Sequence, residues 1–211
     1  MKPTQVFVVR HGETTWNKEQ RLQGHLDSQL TPKGIAQAQA LGENLKHHDF
    51  DAIYASDLTR ARVTAENIAS EKHCPITLEP QLRERHLGIF QGHTRKELAE
   101  KFPVEAKPYL NYKPDYEIPE GESLVQFCQR SMDCFNQLVS QHKQGKILIV
   151  THGGVLTCLF KTVVGVPLST PRNFVLLNTS LNVFSHHKGR WILESWGDLS
   201  HLQNMTALDD S

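Results

Sequence analysis

The sequence predicts one α/β domain, a three-layer α/β/α sandwich with a mostly parallel central sheet. Three observations carry this. Strand-like and helix-like patterns alternate along the chain, two short apolar strands run directly into His-Gly pairs, and 211 residues suffice for one sizeable core. In open sheets of this kind ligands sit beyond the carboxyl ends of the strands, where both His-Gly pairs fall.

The elements follow in order. Residues 5–9 form a β-branched and aromatic run, read as a strand, that ends at Arg10-His11-Gly12. Residues 31–45 open with Thr31 as cap and Pro32 in the first turn, then place Ile35, Ala38, Leu41 and Leu45 at helical spacing. Residues 51–55 read as a strand and 58–69 as a helix. The stretch 103–121 has prolines at 103, 108, 114 and 119 and tyrosines at 109, 112 and 116, and it follows neither period. It reads as an irregular excursion, so we expect a single domain over 1–211 with a lid-like insert at about 93–121. Residues 122–142 form a longer helix with Leu124, Phe127, Cys128, Cys134, Leu138 and Val139 toward the core. The strand at 146–150 runs into Thr151-His152-Gly153-Gly154, and the apolar helix at 153–164 is stopped by Gly165 and Pro167. Runs at 181–185 and 190–196 flank Lys188-Gly189, which predicts a closing β-hairpin.

Composition narrows the function. Lys plus Arg and Asp plus Glu number 23 each, so the chain lacks the long-range field that draws proteins to nucleic acid or anionic membranes. Apolar runs such as 147–150 are far too short to span a bilayer, and the start shows no signal-peptide pattern. A soluble cytoplasmic protein, monomeric or homodimeric, is the expectation. The cysteines at 74, 128, 134 and 158 form no Cys-x-x-Cys pair and are expected to be reduced and structural. His47-His48 and His186-His187 are adjacent pairs without the one-face spacing of a helical zinc site, so no metal is expected. Trp191 and Trp196 read as packing residues.

The chemistry lies in the motifs. Arg10 and His11 join a permanent cation to an imidazole at a strand end, and Gly12 lets backbone approach a ligand. Neutral imidazole, with an ordinary pKa of about 6.5, is a competent nucleophile near neutrality without a metal to activate it. His152 and Gly153 open a helix, whose first N–H groups suit an anion. Arg60 and Arg62 lie two apart on a helix and differ in direction by roughly 200°, so only one can face a site. Glu84 sits in chain read as extended, where its neighbours Arg83 and Arg85 are expected to point away.

Four motifs occur in order: Arg10-His11-Gly12-Glu13-Thr14, Ser56-Asp57-Leu58-x-Arg60-Ala61, Leu82-Arg83-Glu84 and Val150-Thr151-His152-Gly153-Gly154. In this the chain resembles the histidine phosphatase superfamily, the phosphoglycerate-mutase-like proteins, over about 6–182. The resemblance implies His11 as the phosphorylated nucleophile, Arg10, Arg60 and His152 as the phosphate pocket, and Glu84 as proton donor. It implies that Asn17, Gln23, Gly24 and Gly153 complete the substrate site, that no cofactor is needed, and that the partner is a small phosphorylated metabolite. The mutases of this superfamily carry an adjacent arginine pair between the acid and the second histidine. The interval from Glu84 to His152 has none. A phosphatase is therefore expected, with a cofactor-dependent phosphoglycerate mutase and a non-catalytic phospholigand-binding protein as alternatives.

Overall fold

A computed structural model describes residues 2–202 apart from 71 and 73; the single domain expected over 1–211 is thus described as far as 202. The elements are β1 (Thr4–Arg10), α1 (Thr15–Lys18), α2 (Pro32–Asn44), β2 (Ala52–Ala55), α3 (Thr59–Ile68), β3 (Ile76–Leu78), α4 (Arg95–Lys101), α5 (Pro103–Leu110), α6 (Leu124–Gln141), β4 (Lys146–Thr151), α7 (Gly153–Val164), β5 (Leu181–His187) and β6 (Arg190–Asp198). They build a six-stranded sheet in the order β3-β2-β4-β1-β5-β6. The pairings among β3, β2, β4 and β1 are parallel, and β5 and β6 are added antiparallel.

The strand sequences dictate the layering. β1 is apolar on both faces because alternate side chains enter different cores. Val6 and Val8 pack with Ile147, Ile149 and Phe184 under α6 and α7, whereas Phe7 and Val9 pack with Ile53, Leu148 and Val150 under α2 and α3. Each fully buried Val, Leu or Ile contributes roughly 1.5 to 3 kcal/mol. Two continuous cores of such residues therefore hold the sheet without help from the polar groups at its edge. This leaves that edge able to carry buried charge.

Local signals behave as their chemistry requires. Thr31 Oγ1 accepts from the Gly34 N–H and Pro32 occupies the first turn of α2. Lys188 and Gly189 both take left-handed φ, as the tight β5–β6 hairpin demands. Trp196 packs against Phe160, Phe174 and Phe184, and Trp191 against Phe135. No helix among the described residues is long and apolar enough to cross a membrane.

Two expectations need correction. The stretch 103–121 is irregular only from 111 on: residues 103–110 form α5, with Pro103 in its first turn and Pro108 inside it, and α4 precedes it within the expected insert. Helical periodicity is masked there because the helices are short and pack into a small core of their own, around Leu87, Phe90, Leu98, Ala106 and Ile118. The cysteines are also not all reduced, for Cys128 of α6 and Cys158 of α7 form a disulfide with Cα atoms 5.4 Å apart. No sequence spacing signals this bond, because it joins two helices that meet only on the folded sheet. Cys74 and Cys134 are free, and burial pushes the Cys134 thiol up to about 12.

The disulfide closes a loop with a sequence separation of 30. Chain-entropy arithmetic then predicts that the double replacement Cys128→Ala with Cys158→Ala lowers unfolding free energy by about 3 to 4 kcal/mol. Urea unfolding of the oxidised protein and the variant checks this; coincident transitions would mean that the bond constrains nothing.

Candidate active site

Register brings the two His-Gly motifs together. β1 and β4 pair in parallel with Arg10 opposite Thr151, so His11 and His152 follow on neighbouring strands at the same edge. The His11 N–H donates to Thr151 O at 2.9 Å, and the two imidazole centroids lie 5.3 Å apart. Both rings are buried.

The tautomer of His11 is fixed by its neighbour. Nδ1 lies 2.8 Å from the carbonyl oxygen of Gly12, which can only accept, so Nδ1 carries the proton and Nε2 bears the lone pair. The turn that allows this needs glycine, since a Cβ on Gly12 would stand 2.5 Å from the carbonyl oxygen of Gly34. Thr64 Oγ1 accepts the Gly12 N–H at 3.0 Å and holds the turn on α3.

His152 is set differently. Its Nε2 lies 2.8 Å from Ser56 Oγ, which already accepts the Leu58 N–H. This contact ties the ring to the turn before α3, and its Nδ1 is buried with no partner among the described residues. Burial, followed by the charges of Arg60, His11, His25 and Arg10, drives the His152 pKa far below its ordinary value, so the ring is neutral.

Two guanidinium groups are almost wholly enclosed. Arg10 donates to the carbonyl oxygen of Leu176 and packs beside Gly153. Arg60 donates to the carbonyls of Leu26 and Gly24 and pairs with Asp27 at 2.9 Å. Arg62 faces outward and pairs with Glu66, as the helical geometry requires. α3 has no capping side chain of its own, and Asp27 accepts from the N–H groups of Thr59 and Arg60 instead. The loop before α2 is thereby locked to the helix that carries the arginine. Gly24 in that loop has φ +56, and a Cβ there would collide with the Gln91 side chain.

Glu84 stands opposite. Its Oε2 accepts the Gly154 N–H at 2.8 Å and its Oε1 the Arg85 N–H at 2.8 Å. Thr151 Oγ1 donates to the carbonyl of Leu82, and His25 Nε2 donates to that of Glu84. The acid is therefore anchored to the end of β4. Arg83 points away to Asp57, whose carboxyl it holds below the usual range through hydrogen bonds. Arg85 does not point away. Residues 83–86 lie between two 3₁₀ turns and form no strand, so alternation of faces does not apply, and Arg85 borders the same cavity as Glu84.

That cavity is about 600 Å³. Arg10, His11, Arg60 and Glu84 line it, with Gln23, Gly24 and Gly153 on its wall. His152 lies behind His11. Asn17 is one step back too: its Oδ1 accepts from Thr14 in a capping box, and Gln23 Nε2 donates to the same Thr14 hydroxyl. Sequence reasoning missed Asp27, Asn178 and the contact of Ser56 with His152, and it turned Arg85 away from the cavity. Asn178 donates to the His11 carbonyl at 3.0 Å from just before β5. Asp27 and Asn178 act by tertiary contact and have no motif to announce them.

The cavity thus gathers buried cations around an imidazole, and the sheet that carries it is of the phosphoglycerate-mutase-like kind. The chain belongs to the histidine phosphatase superfamily (branch 1), which matches residues 6–199. It is 42% identical over 208 residues to a metal-independent phosphoserine phosphatase of Arabidopsis thaliana, covering 97% of this chain and 86% of that protein. It is 36% identical over 211 residues to a protein of Erwinia tasmaniensis described as a probable phosphoglycerate mutase, covering 98% of each. Among solved structures, YhfR of Bacillus stearothermophilus superposes with a TM-score of 0.88 at 34% identity, over 94% of this chain and 98% of that one.

Proposed function

We propose that the chain is a metal-independent phosphatase that hydrolyses phosphate monoesters of small metabolites through a phosphohistidine on His11, with Glu84 as proton donor. The observation that carries this reading is the bond from His11 Nδ1 to the Gly12 carbonyl, which turns the Nε2 lone pair into the nucleophile.

In the first step Nε2 attacks phosphorus, the bond to the ester oxygen breaks, and Glu84 protonates that oxygen as it leaves. Arg10 and Arg60 neutralise the equatorial phosphoryl oxygens, which is the task a metal ion performs in other phosphoryl-transfer sites. His152, whose ring centroid lies 5.3 Å from that of His11, backs the phosphate pocket. In the second step water attacks the phosphohistidine, Glu84 takes its proton, the P–N bond breaks and inorganic phosphate leaves. The two steps together return every group to its starting state.

The mutase reading is favoured by the description of the Erwinia relative and disfavoured by the missing arginine pair. Hydrolysis of an aryl phosphate in excess EDTA, with trapping of an acid-labile phosphoprotein, is expected to give EDTA-insensitive turnover and a phosphoenzyme. Transfer within phosphoglycerate without phosphate release would favour the mutase. No turnover and no phosphoenzyme with either substrate would leave only a non-catalytic phospholigand-binding protein.

A further inference from the structure

We propose that Arg130 of α6, paired with Glu122, is a positioning residue for the acid: its guanidinium holds the irregular segment that carries Glu84 and so fixes where the carboxyl meets the leaving oxygen. This rests on the reading that Glu84 is the proton donor to an ester held at His11.

The segment has no frame of its own. Residues 83–86 lie between two 3₁₀ turns and join no strand, so their backbone groups have no ladder to pair with. Side chains take its place. Nη1 of Arg130 donates to the carbonyls of Gln81 at 2.7 Å and Arg83 at 3.2 Å, and Nη2 to that of Glu84 at 3.3 Å. The remaining donors go to Glu122, Nη2 to Oε1 at 2.7 Å and Nε to Oε2 at 3.4 Å. A guanidinium carries five N–H groups in a rigid fork, and these bonds occupy all of them. Glu122 closes the far side, for its Oε1 also accepts the His86 N–H at 2.7 Å and its own N–H donates to the His86 carbonyl at 3.0 Å. The pair therefore grips the backbone before and after the acid.

The pair also stands on a fixed base. Ser123, next to Glu122, caps α6 through a reciprocal bond with Gln126, and Phe127 one turn on is buried in the core. The Arg130 guanidinium lies 5.2 Å from the centroid of that Phe127 ring, the same ring that a Cβ on Gly154 would meet at 3.1 Å. Glu84 thus has two supports, the Gly154 N–H of α7 at its carboxyl and Arg130 of α6 at its backbone. An ion pair that only ties two surface side chains contributes little. Here three of the five bonds leave the pair for the segment of the acid, and with Glu122 alongside they supply geometry without adding net charge.

The test follows phosphoenzyme formation in a single turnover, with an alkyl phosphate, whose leaving oxygen needs a proton, and with 4-nitrophenyl phosphate, whose phenolate leaves unaided. A misplacement of about 1 Å can cost about 10²-fold, so Arg130→Ala should slow the alkyl ester by about 10- to 100-fold at saturation. The nitrophenyl ester should change little, and the half-saturating concentrations should stay the same. Arg130→Lys keeps the charge and the stem over Phe127 but lacks the fork, so it should recover part of the loss. A brace for the fold alone would slow both esters equally; that result, or no effect on either, overturns the proposal. If urea unfolding shows that Arg130→Ala does not fold, Arg130→Lys carries the same comparison. Hydrogen exchange gives a readout without turnover, because the Arg85 and Gly154 N–H groups both donate to the Glu84 carboxylate. In the Arg130 variant both should exchange at least about tenfold faster while the amides of β4 keep their protection. If the wild type forms no phosphoenzyme with either ester, the phosphatase reading falls; faster exchange at these two amides then still supports the grip of Arg130 on Glu84, and unchanged exchange overturns it.

Discussion

Replacing His11 with alanine is expected to lower phosphomonoester hydrolysis by at least about 10⁴-fold and to abolish the phosphoenzyme, because removing a covalent nucleophile removes both half-reactions at once. The loss should appear in kcat. In the proposed mechanism Arg10 and Arg60 still bind the phosphoryl group, so a residual rate from water attacking a polarised ester can persist. The variant should fold. His11 sits above two apolar cores to which its ring contributes nothing, and its side chain bonds to the carbonyl of the next residue. Single-turnover kinetics with phosphoprotein trapping reads the effect; an alanine variant that still turns over at the wild-type rate would end the covalent mechanism.

The second large effect is expected from a single methyl group. A Cβ on Gly154 would stand 2.1 Å from Glu84 Oε1 and 3.1 Å from the Phe127 ring, so Gly154→Ala must push the carboxyl off the N–H that orients it. We expect a loss of about 10² to 10⁴-fold, the usual range for a general acid. Alanine is the better helix former by about 1 kcal/mol, which offsets part of the strain at the start of α7. The loss should depend on the leaving group. Alkyl phosphates, whose alkoxide needs a proton, should suffer far more than 4-nitrophenyl phosphate, whose phenolate leaves unaided. An equal loss on both would mean that the methyl group disturbs phosphate binding and not the acid.

How much of this was legible in the sequence depends on the range of the interaction. β1, α2, β4 and α7 declared themselves because their periodicity, caps and stop signals are local, and α7 begins and ends where its glycines place it. The residues of the His-Gly motifs, Arg60 and Glu84 were legible from the motifs and their order. The contacts of Asp27, Ser56 and Asn178 were not, because they arise when loops far apart in sequence meet at one sheet edge. The orientation of Arg85 was misread for want of a strand at 83–86. α4 and α5 were missed because two short helices rich in proline and lysine bury only a few residues each.

The position of β1 bears on how the chain is made. It precedes the other described strands in the chain, yet both of its partners, β4 and β5, lie beyond residue 145. At about 5 to 20 residues per second, Val6, Phe7, Val8 and Val9 wait roughly ten to thirty seconds for a neighbour, apolar on both sides and open to pairing with any other edge. No nascent chain shorter than Asn178 can assemble the site around His11, so activity arrives late and all at once. The interval in which this protein is most exposed to aggregation, and most in need of a chaperone, is therefore set by the order of its strands.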